Sequence, residues 1–102
     1  MADNLKGIPF STDDEGVSYP EIAKNLVYER ACSLGVTETH PTFSRDEVYV
    51  VWFAYVLGYW KALCSTSLPD GRYYEVTFHK ERKVAFVDTY AKTDNAEVVI
   101  FP

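Results

Sequence analysis

The sequence predicts an α+β domain, one N-terminal helix packed on an antiparallel meander of four to five strands. Three observations carry this. A helix-period apolar pattern follows a capping motif near residue 18. From Val48 onward the chain is β-branched and aromatic, in runs of about eight residues typical of strands. Short turn signals separate those runs, so neighbours in sequence should pair antiparallel.

The helix is predicted over residues 19–34. Ser18-Tyr19-Pro20-Glu21 has the S-x-x-E form of a capping box. Pro20 sits in the first turn, where no backbone hydrogen bond is lost. Ile22, Ala23, Leu26, Val27, Ala31 and Leu34 recur at helical spacing, and Gly35 is a suitable stop. Residues 36–46 read as a loop. The first strand is Val48 to Val56, and Leu57-Gly58 is its turn. Tyr59 to Thr66 returns, and Pro69-Asp70-Gly71 ends it. Arg72 to His79 is the third strand, with Tyr74, Val76 and Phe78 on one face and Tyr73, Glu75, Thr77 and His79 on the other. Lys80-Glu81-Arg82 is a charged turn, Lys83 to Tyr90 a fourth strand, and Glu97 to Phe101 a candidate fifth. Residues 1–17, broken by Gly7, Pro9, Gly16 and an acidic cluster, are expected to form a flexible arm before one domain over residues 18–102.

Composition narrows the function classes. The 102 residues fit one domain, and 47% hydrophobic with 25% charged residues is an ordinary globular balance. A net charge of −5 argues against nucleic acid and against an acidic membrane surface as partners. The longest uncharged apolar run, Val48 to Trp60, falls short of the roughly 20 residues of a membrane helix. The first ten residues carry Asp3 and no long apolar run, so no signal peptide is expected. Cys32 and Cys64 lie in apolar surroundings and read as reduced core thiols, which suits the cytoplasm.

The first strand breaks the alternation expected of a half-buried strand. Strict alternation places Val48, Val50, Trp52, Ala54 and Val56 on one face and Tyr49, Val51, Phe53, Tyr55 and Leu57 on the other, and both faces are apolar. One helix covers only one side of a sheet. The second face needs the arm with Ile8 and Phe10, a second copy of the chain, or a foreign partner. A homodimer through this face or the edge of the hairpin is the leading expectation.

Motifs for chemistry are sparse. His40 and His79 stand in no metal-ligand spacing with the two cysteines, and no C-x₂₋₄-C pair occurs. No nucleophile elbow or phosphate-binding glycine loop is present, so no cofactor and no enzymatic activity are expected. Glu75 and Asp88 on neighbouring strands form a conceivable acid–base pair, but cross-strand pairing with Lys61, Arg72 or Lys83 is the commoner arrangement. Tyr and Trp are favoured at protein interfaces. A partner-binding surface of Trp52, Tyr55, Tyr59, Trp60 and Tyr73, with Glu75 and Asp88 as polar rim, is therefore the first expectation. The alternative is an aromatic pocket between sheet and helix that takes a nucleotide or metabolite, with Lys61, Arg72 and Lys83 meeting its charge.

Val50-Val51-Trp52-Phe53, Trp60-Lys61-Ala62-Leu63, Ser65-Thr66, Asp70-Gly71, Tyr73-Tyr74-Glu75-Val76-Thr77 and Asp88-Thr89-Tyr90 together resemble a family of small uncharacterised proteins, a domain of unknown function, from phages and prophages of Gram-positive bacteria. The resemblance spans residues 46–95. It departs at His79-Lys80-Glu81-Arg82, where the family tends to carry an Asn-Gly-Asp turn, and at Tyr55 and Val56, which replace more polar residues. It implies a phage or prophage accessory protein made inside the bacterial host, and no catalytic residues carry over. Small acidic phage proteins often bind a host factor, so the resemblance implies an inhibitory or counter-defence role by context alone.

Overall fold

A computed structural model describes residues 18–101. The predicted arm, with Ile8 and Phe10, lies outside the described residues. The elements are α1 (Tyr19–Ser33), a single-turn α2 (Val36–Thr39), a 3₁₀ turn (Arg45–Glu47), β1 (Val48–Val56), β2 (Tyr59–Thr66), β3 (Arg72–His79) and β4 (Val84–Ala91). The strands form one antiparallel sheet in the order β1-β2-β3-β4, and α1 covers one side of it. The architecture is the two-layer α+β meander that the sequence predicts. Residues 36–46, read as loop, contain α2 and lead into the 3₁₀ turn. Residues 97–101, the candidate fifth strand, join no sheet.

Local chemistry sets the helix ends. Ser18 Oγ accepts from the Glu21 backbone N–H at 3.3 Å. The Glu21 carboxylate, which the capping motif would direct back to residue 18, meets Arg45 and Lys24. Gly35 takes φ +91° directly after the Leu34 cap, a conformation that favours glycine. Ile22, Ala23, Val27 and Ala31 face the sheet and are buried against Val48, Trp60, Ala62, Cys64, Tyr74, Val76 and Phe78. Trp60 is the centre of an aromatic stack, 5.6 Å from Tyr19, 5.8 Å from Phe53 and 5.7 Å from Phe78 between ring centroids.

Leu57 at φ 54° and Gly58 at φ 85° make the two-residue turn of the first hairpin. Two successive positive φ angles are the type I′ geometry whose twist matches the flanking strands. The β2–β3 turn uses Gly71, and the Arg72 N–H donates to Asp70 Oδ1 at 3.1 Å. Arg45 ties the start of β1 to α1 through Asn25 and Glu21. Glu47 ties it to Ser67 by side chain and backbone.

The pairing of β1 departs from strict alternation. Val50 pairs with Cys64, but Trp52 pairs with Leu63, so Val51 is an extra residue, a β-bulge. The bulge reverses the phase of everything after it. Phe53 and Tyr55 join Val48 and Val50 on the helix side, where Tyr55 stacks on Tyr19 at 5.7 Å. Trp52, Ala54 and Val56 turn to the other side. The two apolar faces predicted for β1 are present, with membership exchanged at residue 51.

Candidate functional site

The side of the sheet opposite α1 is the candidate site. Its composition follows from the register. Partners across an antiparallel pair share a face, so the sheet carries four rows on this side. Three are Tyr49–Ser65–Tyr73–Tyr90, Trp52–Leu63–Glu75–Asp88 and Ala54–Lys61–Thr77–Phe86, and the pairs Val56–Tyr59 and His79–Val84 make the fourth by extension of the same register. Tyr49, Trp52, Tyr59, Tyr73, Phe86 and Tyr90 are each 38–51% exposed. No described element covers them.

Polar groups hold the middle of this face in place. Lys61 Nζ lies 3.4 Å from Glu75 Oε2. Tyr90 Oη–H donates to Glu75 Oε1 at 3.1 Å, and the carboxylate beside it pushes the Tyr90 phenol above its ordinary pKa. Tyr59 Oη–H donates to Glu81, which raises the Tyr59 phenol and lowers the Glu81 carboxyl. Arg82 lies 5.5 Å from the Phe86 ring centroid, a cation–π distance. Asp88 is exposed in the row of Glu75. Tyr59 and Tyr90 are thus anchored at their phenol tips while their rings stand exposed.

Five of the seven expected partner-binding residues share this face: Trp52, Tyr59, Tyr73, Glu75 and Asp88. Tyr55 and Trp60 belong to the other side, and Trp60 is only 2% exposed, at the centre of the core. Tyr49, Phe86 and Tyr90 complete the face without having been singled out for it. Phe86 and Tyr90 were available from the two-residue spacing around Asp88.

The three cations of the ligand-binding alternative do not converge. Lys61 is on the open face with Glu75. Arg72 starts β3 on the helix side, in a niche of about 120 Å³ with Leu34, Val36, Thr39 and His40. Lys83 sits in the β3–β4 turn at φ 56°. Between helix and sheet, Ala23, Val27, Tyr74 and Val76 are fully buried. A hollow of about 280 Å³ does exist, but on the open face, where Ala54, Val56, Tyr59, Lys61, Thr77 and His79 border it. Burial in an apolar site pushes the Cys64 thiol up to about 11, so it is a packing group with little thiolate at neutral pH. Among the described residues, no three His, Cys, Asp or Glu side chains gather into a metal-sized cluster, and no helix is long and apolar enough to cross a membrane.

The chain matches no curated protein and no solved structure. Residues 20–100 match DUF6275, a family of unknown function. That span takes in nearly all of α1, the whole sheet and the segment after it, and the chain belongs to that family.

Proposed function

We propose that the protein is a non-enzymatic phage or prophage accessory protein that binds a host or phage protein through the open face of its sheet. One observation carries the reading: six aromatic side chains stand 38–51% exposed on a single continuous face opposite the helix. Contiguous apolar patches of this kind mark interaction sites on small proteins. Tyr and Trp supply large contact area with few rotatable bonds, which is why they dominate binding hot spots. Glu75, Asp88 and the net charge of −5 favour a partner that presents basic residues at the rim. An inhibitory or counter-defence role inside a bacterial host is the context we assign to it.

The test is capture of a defined partner and its dependence on this face. Wild-type protein, Trp52→Ala/Tyr73→Ala and Tyr55→Ala are used as baits in bacterial lysate, and the captured protein is then titrated in purified form. The reading expects the double variant, folded by circular dichroism, to lose at least tenfold in affinity while Tyr55→Ala changes it little. A partner held equally by all three, or no partner at all, would overturn it.

A further inference from the structure

The segment after β4 carries a second unsatisfied surface, separate from the open face. Val98, Val99, Ile100 and Phe101 are 73–85% exposed, the most exposed run of large apolar residues among those described. Their composition is that of a strand, yet they pair with nothing in the sheet. The chain is steered away from the free edge of β4 where a hairpin would have formed. The Lys92 N–H donates to the Gly71 carbonyl at 2.9 Å, on the β3 side, and residues 93–95 run beside the Pro69–Gly71 turn.

A matching vacancy lies at the opposite edge. Edge strands are usually protected by charge, proline or a bulge. In β1 the Val51 bulge protects the first half only. The second half, Trp52–Val56, is five residues long with no charged side chain, and apolar on both faces. Glu97–Phe101 is also five residues and also apolar on both faces after its first residue. The type I′ turn makes Val56 and Tyr59 a hydrogen-bonded pair, and by alternation Phe53 and Tyr55 point their backbone N–H and C=O groups outward.

We infer that Glu97–Phe101 of one copy adds antiparallel to the Trp52–Val56 edge of a second copy, as the fifth strand of its sheet. Val98 then lies opposite Tyr55 and Ile100 opposite Phe53, satisfying the outward groups. Phe101 falls beside Trp52. Glu97 falls at the hairpin tip, where Lys80 Nζ already reaches the Leu57 carbonyl at 3.4 Å. The addition cannot occur within one chain. The position outside β1 is four strand spacings, about 19 Å, from β4, and the Val56 row is about 24 Å along the strands from the Ala91 row, so Glu97 would have to sit about 30 Å from Ala91. Six Cα–Cα steps span about 20 Å. Reciprocal exchange about a twofold axis closes a dimer. At roughly 60–120 Å² per apolar side chain removed from water, the four apolar side chains of the donated segment and the five of the covered edge give at most roughly 540–1,080 Å² per copy, a range that includes the roughly 800 Å² of a standard interface.

The experiment is light scattering with size exclusion from micromolar to millimolar protein, on wild type and on Val98→Asp/Ile100→Pro. Both substitutions fall in a segment that the single chain leaves unpaired, so the monomer fold is preserved. Wild type is expected to reach about twice 11.6 kDa, and the variant to stay at the monomer mass throughout. Amide exchange supplies the second readout: Phe53 and Tyr55 are protected at least tenfold in wild type at high concentration and lose this in the variant. A wild type that remains monomeric, or a variant that dimerises as well as wild type, overturns the proposal. The latter outcome would point to a face-to-face dimer through the open face.

Discussion

Deleting Val51 tests the phase reversal in β1 directly. The Val51 side chain is 46% exposed, so Val51→Ala should cost well under 1 kcal/mol, in the range of ordinary surface changes. Deletion removes the same side chain but also the extra backbone unit. The residues after it must then turn over, or slide by one against β2 and spoil the Leu57-Gly58 turn. Turning over removes Phe53 from Trp60 and Tyr55 from Tyr19, two ring pairs now 5.8 and 5.7 Å apart. Each such pair is worth about 0.5–1.5 kcal/mol beyond burial, and exposing the half-buried Phe53 adds about 1 kcal/mol. The expected loss is about 3 kcal/mol, against about 5–15 kcal/mol for a typical domain. For a chain of this length that lowers Tm by roughly 12–24 °C. Calorimetry and urea titration of wild type, Val51→Ala and the deletion read it out. If the deletion melts within a few degrees of Val51→Ala, the bulge does not set the faces and the reasoning fails.

Two further predictions follow from titrating groups. Cys64 is fully buried with its thiol pushed up to about 11, whereas Cys32 is partly exposed, so a thiol reagent at pH 8 should label one cysteine per native chain and both in denaturant; equal labelling rates in the native state would contradict that burial. Arg45 and then Lys24 hold the Glu21 carboxyl below its ordinary value of 4.5, and a depressed folded-state pKa contributes stability that is complete above 4.5 and disappears as pH falls through the folded value. Tm should therefore be flat from pH 8 to about 5 and fall below about 4.5, with a shallower fall in Glu21→Gln, and an acid slope unchanged by that substitution would remove Glu21 from the account.

How much of this was legible in the sequence depended on whether polar residues marked the phase. In β3, Glu75 and Thr77 interrupt the apolar set, and both faces were readable: Tyr74, Val76 and Phe78 are buried as expected. The start and stop of α1 were readable from Ser18, Pro20 and Gly35 because each answers a backbone requirement that few residues meet. In β1 nothing polar interrupts Val48–Val56, so an extra residue leaves no trace beyond the Val50-Val51 pair; strict alternation sets Tyr49 and Tyr55 on one face, and the bulge parts them, Tyr49 to the open side and Tyr55 to the helix side. Trp60 was phased correctly and still misassigned, because the side chain that looks most like an interface anchor is also the one best suited to the core. Glu97–Phe101 read as a strand on composition, but composition names no neighbour, and its own sheet offers none.

The meander order also has a kinetic meaning. Every strand pairs only with its neighbour in sequence, so the sheet can grow by successive hairpins, each closing a short loop at little entropic cost. The helix has no such neighbour. It precedes the sheet in the chain, and Arg45 is anchored to it across 20 and 24 residues, at Asn25 and Glu21. The expected order is therefore ordering at the tight turns Leu57-Gly58 and Pro69-Gly71 first, with the docking of α1 late. Conservative substitutions in α1 should then act mainly on the unfolding rate, and those in the turns on the folding rate.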